Sequence, residues 1–339
     1  MSKNILITGW LGYIGSHAVV ALHEAGYTPI IIDNLSNCES SVHERLEQLT
    51  NTQINCYIGD IRDGEFLRSI LRAHPIHAVI HFAAMKAVGE SMEIPFDYYD
   101  NNVHGSIMLT RIMDEFAVRH LIFSSTCALY SPACEAPYDE TMPTAPESVY
   151  AMTKLMMEQA FTWLYKAGKL SVAILRYFNP IGNHPSGTIG EVCKGVPQNL
   201  MPYLMQVVQG QRDYLSVYGS DYLTRDGTCI RDYIHVIDLV EAHVHALDRL
   251  LHQEIDICET INLGTGTGTS VLEMIHAVEE VIGHKFPYKV VNRRAGDLPE
   301  VYGNVDKAKK ILWREAKKSI ADWVRDMLRF YQLPSHDVR

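Results

Sequence analysis

The sequence predicts an α/β fold in which a doubly wound parallel sheet precedes a smaller, mixed α/β domain. Short β-branched runs alternate with longer amphipathic stretches, and several runs lack the polar alternation of half-exposed strands. The pattern changes beyond residue 180, where prolines and glycines become frequent. The 339 residues, 47% of them hydrophobic, suffice for one large globular domain or two fused ones.

The first part of the chain contains the elements of the predicted parallel sheet. We expect its strands, in chain order, at residues 4–8, 29–33, 56–59, 77–82, 120–124 and 171–177. We expect helices, from apolar residues spaced three and four apart, at residues 16–25, 98–116 and 148–166. A repeated strand–helix–strand order produces parallel strands that helices cover on both faces.

The chain is expected to leave this sheet near residue 180, because five prolines and glycines fall between residues 180 and 190. We place a domain boundary there, with one domain at residues 1–180 and the other at residues 181–339. The second domain contains shorter elements. Its helices are expected at residues 199–209, 236–251, 270–282 and 320–331, and its strands at residues 215–218 and 288–291.

The composition excludes several classes of function. The formal net charge is −10, so neither nucleic acid nor an anionic membrane is an expected partner. We find no apolar stretch that could span a membrane and no targeting segment, which predicts a cytoplasmic protein. Seven scattered cysteines without a Cys-x-x-Cys pair predict reduced thiols, and sixteen histidines without a His-Glu-x-x-His motif predict no metal site.

Three glycines, Gly9, Gly12 and Gly15, follow the first predicted strand and open the first helix. In a dinucleotide-binding turn such glycines allow a tight turn, close approach of a pyrophosphate and close helix packing. Asp33 ends the second strand, where its carboxylate can accept hydrogen bonds from ribose hydroxyls and would repel a 2′-phosphate. The sequence therefore predicts a Rossmann-type domain that binds NAD rather than NADP. The glycine-rich segment 264–268 lacks this context and is interpreted as a structural turn.

Tyr150 and Lys154 are four residues apart in a predicted helix, so their side chains lie on one face. A free phenol has a pKa near ~10 and is a poor base at neutral pH. A neighbouring ammonium and the positive nicotinamide ring of NAD favour the phenolate and lower this pKa. Ser124, Ser125 and Thr126 close a strand at the carboxyl edge of the sheet, where one hydroxyl is expected to bind the substrate oxygen.

These motifs and others along nearly the whole chain resemble the extended short-chain dehydrogenase/reductases, and within them the nucleotide-sugar 4-epimerases. The further matching segments are residues 59–62, 81–91, 98–103, 123–125, 176–180, 184–187, 199–202, 227–228, 231–236 and 296–299. The resemblance implies that NAD is held, besides the three glycines, by Tyr13, Ile14, Asp33, Asn34, Asp60, Ile61, Phe82, Lys86, Asn101, Lys154 and Phe178. It implies that a UDP-sugar is held by Thr126, Tyr150, Asn179, Asn199, Leu200, Tyr218, Arg231, Arg294, Asp297 and Val301. Two arginines suit a diphosphate, and an aromatic ring can stack on uracil.

By this resemblance we expect an isomerase that interconverts UDP-glucose and UDP-galactose at C4 of the sugar. Hydride would pass to and from tightly bound NAD through a 4-keto sugar, with Tyr150 as the base, Lys154 beside it and Thr126 on the 4-hydroxyl. Val301 stands where members of narrower specificity hold a large aromatic residue, which predicts activity on UDP-N-acetylglucosamine and UDP-N-acetylgalactosamine as well. A homodimer is expected through residues 98–116 and 148–166.

Three other functions stay open at this point. A nucleotide-sugar 4,6-dehydratase resembles the first half of the chain, but it carries an Asp-Glu pair where this chain has Cys127 and Ala128. An epimerase of UDP-uronates, or another nucleotide-sugar dehydrogenase, would share most motifs. An NAD-sensing scaffold would need a broken catalytic set, and the set is intact. Trp10 departs from the family pattern, in which a second glycine is common, and is expected to crowd the turn.

Overall fold

The computed structural model describes residues 2–36, 41–192, 197, 199–252, 255–294, 296–312 and 315–333. Its strands are β1 (Asn4–Thr8), β2 (Thr28–Asp33), β3 (Asn55–Ile58), β4 (Ile76–His81), β5 (His120–Thr126), β6 (Ser171–Tyr177), β7 (Asn179–Ile181), β8 (Leu215–Tyr218), β9 (Ile230–His235), β10 (Cys258–Leu263), β11 (Gly268–Ser270), β12 (Tyr288–Val291) and β13 (Glu300–Val301). Its α-helices are α1 (Tyr13–Glu24), α2 (Ser41–Thr50), α3 (Gly64–Ala73), α4 (Val88–Glu93), α5 (Pro95–Tyr98), α6 (Gly105–Glu115), α7 (Val149–Lys166), α8 (Leu200–Val208), α9 (Val236–His252), α10 (Val271–Ile282), α11 (Asp306–Leu312) and α12 (Ile320–Phe330). A π-helix covers Tyr99–His104, and a 3₁₀ turn covers Cys127–Leu129.

Within the described residues, seven strands form one parallel sheet in the order β10-β6-β5-β4-β1-β2-β3. The chain runs outward from β1 to β3, crosses back to β4 and continues in the opposite direction. The strand order therefore reverses between β1 and β4, and doubly wound sheets bind ligands in the crevice at the carboxyl ends of the strands at such a reversal. The predicted doubly wound parallel sheet is confirmed.

Helices cover both faces of this sheet, which explains why its strands are apolar throughout. On one face α1 and α9 contribute Val20 and Leu239 to a core that also contains residues of β1, β4 and β6. On the other face α3, α6 and α7 contribute Leu67, Leu109 and Phe161 to a second core. β6 is buried along its whole length.

The later elements build a smaller mixed α/β unit, as expected. β11, β9 and β13 form a sheet to which β7 is joined through β9, and β12 pairs with β8. α8, α10 and α12 enclose an apolar core that contains Leu204, Val278 and Trp323. β7 leads directly from the end of β6 into this unit, so the two parts meet at the carboxyl edge of the large sheet.

The chain does not divide cleanly at residue 180. β10 returns to the large sheet and pairs with β6, and α9 packs against α1. The return buries Ile261 and Leu263 of β10 in the same core as α1. The predicted boundary marks the place where the chain first leaves the sheet, and as a division into domains it stays a prediction.

The helix predicted at residues 98–116 is interrupted, because the π-helix separates α5 from α6. Asn102 in the π-helix donates to the carbonyl O of Met85 at 3.0 Å and accepts from its N–H at 2.8 Å. These two bonds tie the wide turn to the loop that follows β4. Turns of this kind are frequent at functional sites.

None of the helices in the described ranges combines the length and the apolar character needed to cross a bilayer. In the same ranges no three His, Cys, Asp or Glu side chains group as metal ligands do. The cysteines described there are free thiols, namely Cys56, Cys127, Cys134, Cys229 and Cys258. Cys38 and Cys193 lie outside the described residues.

Candidate active site

The glycine-rich turn joins β1 to α1 at the carboxyl edge of the large sheet. Gly9 has a φ of 72°, and a Cβ at this position would lie 2.5 Å from the backbone N of Ala83. A Cβ on Gly15 would lie 2.6 Å from the carbonyl O of Gly9. Gly12 precedes α1 and provides no side-chain cap. The positive end of α1 therefore has the backbone approach and the polarity that suit a pyrophosphate.

Asp33 ends β2 and is tied to the same turn. Its carboxylate accepts hydrogen bonds from the N–H of Leu11 at 3.0 Å and from the N–H of Leu35 at 2.9 Å. These bonds hold the carboxylate where the ribose of a dinucleotide is expected. Trp10 does not crowd the turn, contrary to expectation, because its ring is buried in the apolar core beside His43.

Asn34, Asp60 and Ile61 follow the ends of β2 and β3. Asn34 donates to the Asp60 carboxylate at 3.2 Å, and Arg62 bonds the same carboxylate at 2.7 Å. Hydrogen bonding to Arg62 lowers the pKa of Asp60 to about 2, so this group is charged at neutral pH. Ile61 is buried where a Cβ on Gly105 would lie 2.8 Å from its side chain.

Ile14, Phe82 and Asn101 are placed along the same edge. Ile14 and Phe82 pack into one small apolar cluster with residues of α9. The Phe82 ring lies 5.1 Å from the ring of His243, measured between centroids. Asn101 lies in the π-helix and donates to the side chain of Asn102 at 2.9 Å.

Two contacts join the two parts of the chain beside the turn, namely Tyr13 with Gly182 and Lys86 with Glu191. The Tyr13 hydroxyl donates to the carbonyl O of Gly182. The Glu191 carboxylate lies 3.8 Å from the Lys86 ammonium and accepts from Asn199 at 3.4 Å. Sequence reasoning missed Glu191, because a single acid in a proline- and glycine-rich loop carries no pattern. Burial raises its pKa, and its two neighbours are residues predicted to hold NAD and UDP.

The structure brings Tyr150, Lys154 and Thr126 together where β5 ends and α7 begins. Ser148 caps α7 by accepting a backbone N–H at 3.2 Å, which places Tyr150 in the first turn. The Thr126 hydroxyl lies near the Tyr150 hydroxyl and acts to lower its pKa. The Lys154 ammonium donates to the carbonyl O of Ser124 at 2.7 Å. The phenol, amine and hydroxyl groups thus lie at the carboxyl edge of the large sheet.

Burial dominates the electrostatics of Tyr150 and Lys154. Burial raises the pKa of Tyr150 to about 12, although the Thr126 hydroxyl lowers it in part. Burial also lowers the pKa of Lys154 to about 7, against the attraction of Glu158. The expected lowering of the phenol pKa rests on Lys154 together with the nicotinamide ring of NAD, and the chain's own groups alone leave this pKa raised. Additional positive charge bound beside Tyr150 is needed to favour its phenolate.

Two arginines and a carboxylate gather at the opposite end of the candidate site. Asp297 lies 3.4 Å from Arg231 and 2.8 Å from Arg294. The Arg294 guanidinium is 5.6 Å from the ring centroid of Tyr218, a side chain that is 45% exposed. An exposed aromatic ring beside two guanidinium groups suits a nucleoside diphosphate.

The Cys127 thiol shows that the two ends of the site are close. It packs against the same aromatic cluster as Val301, and Val301 is the register partner of Arg231 where β13 pairs with β9. Phe178 lies in a buried aromatic cluster with Tyr130 and Tyr138, against which Cys127 and Val301 pack. Asn179 is the first residue of β7, and Leu200 is the first residue of α8. Both are partly buried.

A reversed parallel sheet with a glycine-rich turn, together with a buried lysine beside a partly buried tyrosine and threonine, defines an extended short-chain dehydrogenase/reductase. A family model described as GDP-mannose 4,6 dehydratase matches residues 6–327. The UDP-glucose 4-epimerase of Bacillus subtilis (strain 168) is 45% identical over 327 residues, which are 96% of each chain. That of Mus musculus is 44% identical, over 97% of this chain and 96% of its own.

Solved structures agree with these relatives. The UDP-glucose 4-epimerase of Stenotrophomonas maltophila, with bound NAD and formylated UDP-arabinopyranose, matches with a TM-score of 0.95 at 43% identity. The match covers 97% of this chain and 98% of that one. The chain belongs to the UDP-glucose 4-epimerase family.

Proposed function

We propose that this protein interconverts UDP-glucose and UDP-galactose at C4 of the sugar. The observation that carries the proposal is the placement of Tyr150 beside Thr126 at the carboxyl edge of the large sheet, with Cys127 and Val301 packed on one cluster and Val301 in register with Arg231. A base and a hydroxyl beside a diphosphate-binding group are what oxidation of a nucleotide-sugar hydroxyl needs. The relatives named UDP-glucose 4-epimerase match nearly the full length and support the same reaction here.

NAD is the cofactor, and the residues present fit it. The turn around Gly9, Gly12 and Gly15 leaves no room for a Cβ on two of its glycines, and α1 begins without a side-chain cap. Asp33 is held at the adjoining edge for the ribose. When bound there, NAD supplies the acceptor and the donor of hydride at C4, so the reaction needs no external oxidant.

The chain's own residues handle the proton and the substrate. Tyr150 takes the proton from the C4 hydroxyl and returns it after the sugar has presented its other face. Thr126 holds the phenol oxygen and the sugar oxygen near each other, and Lys154 adds positive charge from a position set by the carbonyl of Ser124. Binding energy at Arg231 is directed to UDP, away from the reacting carbon, which leaves the sugar free to turn.

The dehydratase alternative is disfavoured although the matching family model bears the name of a dehydratase. Elimination of water needs an acid and a base after the threonine. Burial raises the pKa of Cys127 to about 12, so this thiol stays neutral, and Ala128 carries no titratable group. Epimerisation requires neither residue to exchange a proton.

The proposed function is tested on a panel of UDP-galactose, UDP-glucuronate and the two UDP-N-acetylhexosamines, with the product epimers resolved. We expect turnover of UDP-galactose and a kcat/KM for UDP-glucuronate at least about tenfold lower. Turnover of the uronate alone would make the enzyme a uronate epimerase. If the folded protein retains NAD but converts none of these substrates, the NAD-sensing scaffold would be favoured.

The sugar range is proposed to include the N-acetylated UDP-hexoses, because Val301 is small and packs beside Phe178 in the aromatic cluster. Replacing Val301 with Tyr is expected to lower kcat/KM for UDP-N-acetylglucosamine by about tenfold or more relative to UDP-galactose. The added ring would fill the space proposed for the acetyl group. Val290→Tyr, at a 52% exposed position of β12, is the control and should leave the ratio unchanged. A wild type inactive on the N-acetylated sugar would contradict the assignment.

A homodimer is proposed through the helices of the 98–116 and 148–166 regions. Large apolar side chains there are exposed, including Ile107 (42%), Met156 (39%) and Trp163 (67%). We expect Met156→Lys to weaken the dimer at least about tenfold, because a charge would be buried at the contact. Sedimentation equilibrium measures this, with Val290→Lys as an exposed control. A wild type that is monomeric at micromolar concentration would contradict the proposal.

The cytoplasm is the proposed place of action. The cysteines that the structure describes are free thiols, and thiols persist in a reducing compartment. The net charge of −10 also fits a protein that binds neither nucleic acid nor an anionic membrane.

A further inference from the structure

A buried ion pair joins α7, the helix that carries Tyr150 and Lys154, to strand β6. Neither of its residues is among the predicted site residues. Glu158 lies on α7, one helical turn after Lys154, and Arg176 lies on β6. The Glu158 carboxylate accepts from Arg176 Nε at 3.0 Å and from Nη2 at 2.6 Å. The two side chains are 7% (Arg176) and 6% (Glu158) exposed. A bidentate pair buried this deeply is rigid, because neither charge has water as an alternative partner.

Ser125 is the third member of this group. Its hydroxyl donates to the Glu158 carboxylate at 2.5 Å. Ser125 and Arg176 are direct register partners in the pairing of β5 with β6, so one carboxylate from the helix holds neighbouring positions on two strands. Thr126 follows Ser125 directly. The contact therefore links the helix that carries the proposed base to the strand end that carries the proposed hydroxyl.

Arg176 extends the same connection to the aromatic cluster. Its guanidinium lies 4.9 Å from the ring centroid of Tyr130. The Tyr130 hydroxyl donates to Asn262 at 2.6 Å, and its ring packs with Tyr138 and Phe178. One buried charge pair thus touches the catalytic helix, the strand end and the wall proposed for the sugar pocket.

Glu158 also acts on Lys154 through its charge. Its carboxylate favours the ammonium form, whereas burial lowers the pKa of Lys154 to about 7. Among the residues that the structure describes, the other groups shown near this ammonium are uncharged. They are the carbonyl of Ser124, the ring of Phe123 at 4.8 Å, and His81 of β4, whose pKa burial lowers to about 3.

We propose that Glu158 is a positioning residue for the epimerase reaction: held by Arg176 and Ser125, it fixes the helix that carries Tyr150 and Lys154 against the strand end that carries Thr126. The inference rests on the proposed function. The sequence carried a signal for it, since Glu158 repeats the spacing of Tyr150 and Lys154. Its partner Arg176 on β6 is determined by the strand register.

Glu158→Gln tests the proposal in the full chain with NAD, because it keeps the size of the side chain and removes its charge. We expect kcat for UDP-galactose to fall about tenfold, with KM changed by no more than about twofold. The alkaline limb of the kcat–pH profile should move to lower pH by about one unit. The limb moves to lower pH because losing the carboxylate lowers the pKa of Lys154, and its ammonium is then lost sooner as the pH rises. Glu158→Asp should restore the limb while kcat stays low.

Asp326→Asn is the matched control, since Asp326 is an 8% exposed carboxylate on α12 paired with Lys318 at 3.4 Å. It should lose stability without moving the limb. Ser125→Ala removes one hydrogen bond and no charge. It should lower kcat about threefold and leave the alkaline limb of the kcat–pH profile unchanged. This variant tests the proposal if Glu158→Gln does not fold. An active wild type whose Glu158→Gln or Ser125→Ala variant keeps its kcat would overturn this inference alone. Movement of the limb in Asp326→Asn would overturn it as well. A wild type that does not convert UDP-galactose would overturn the proposed function, and this inference with it.

Discussion

Replacing Tyr150 with Phe is expected to lower kcat for UDP-galactose by about 10³-fold, the usual contribution of a positioned proton-transfer group. This corresponds to about 4 kcal/mol in the activation free energy. The substitution removes one oxygen and leaves the ring in place, so Lys154 keeps its bond to Ser124 and the helix keeps its cap. KM should change little, because the proposed UDP contacts lie at Arg231 and Arg294. Steady-state assay of UDP-glucose formation gives both constants.

Tyr165→Phe is the matched control, since Tyr165 lies on the same helix and is not among the predicted site residues. It should keep the wild-type rate. A Tyr150→Phe variant with kcat within about tenfold of the wild type would remove Tyr150 from the role of base. The loss must also occur at unchanged thermal stability, which separates a chemical effect from unfolding.

Replacing Gly9 with Ala is expected to destabilise the protein by about 3 kcal/mol or more and to abolish retention of NAD. The added Cβ would lie 2.5 Å from the N and 2.6 Å from the Cα of Ala83. These are backbone atoms just beyond β4, so no side-chain movement relieves the contact. β1 and β4 would be forced apart at the crevice where the strand order reverses. Denaturant unfolding and the NAD released on acid precipitation measure the two effects.

Gly26→Ala separates backbone strain from this contact. Gly26 has a φ of 84°, and nothing lies within 4 Å of a Cβ built there. This variant should cost only the strain of a left-handed residue, about 1 kcal/mol, and should keep NAD. Equal stability and equal NAD content in both variants would mean that the turn tolerates a side chain. The cofactor site would then have to lie elsewhere.

Local patterns predicted the parallel sheet well. Strands buried on both faces are recognisable as apolar runs, and β6 lies where its run predicts it, at Ser171–Tyr177. The spacing of Tyr150 and Lys154 also predicted their proximity, because residues four apart in an α-helix lie on the same face. Spacing alone predicts such features.

Features set by distant parts of the chain were not predictable. The return of β10 to the large sheet depends on the free edge of β6, and the π-helix depends on the bonds between Asn102 and Met85. The pairing of Glu158 with Arg176 depends on strand register. The raised pKa of Tyr150 results from burial, which no spacing expresses.

The most direct test of the proposed hydride transfer uses UDP-galactose labelled with deuterium at C4. We expect UDP-glucose that retains the deuterium at C4, because hydride leaves and returns at the same carbon without exchange with water. Magnetic resonance of the product resolves the position of the label and the configuration of the carbon. A product that has lost the deuterium to solvent, or a 4-keto-6-deoxy sugar, would contradict the proposed reaction.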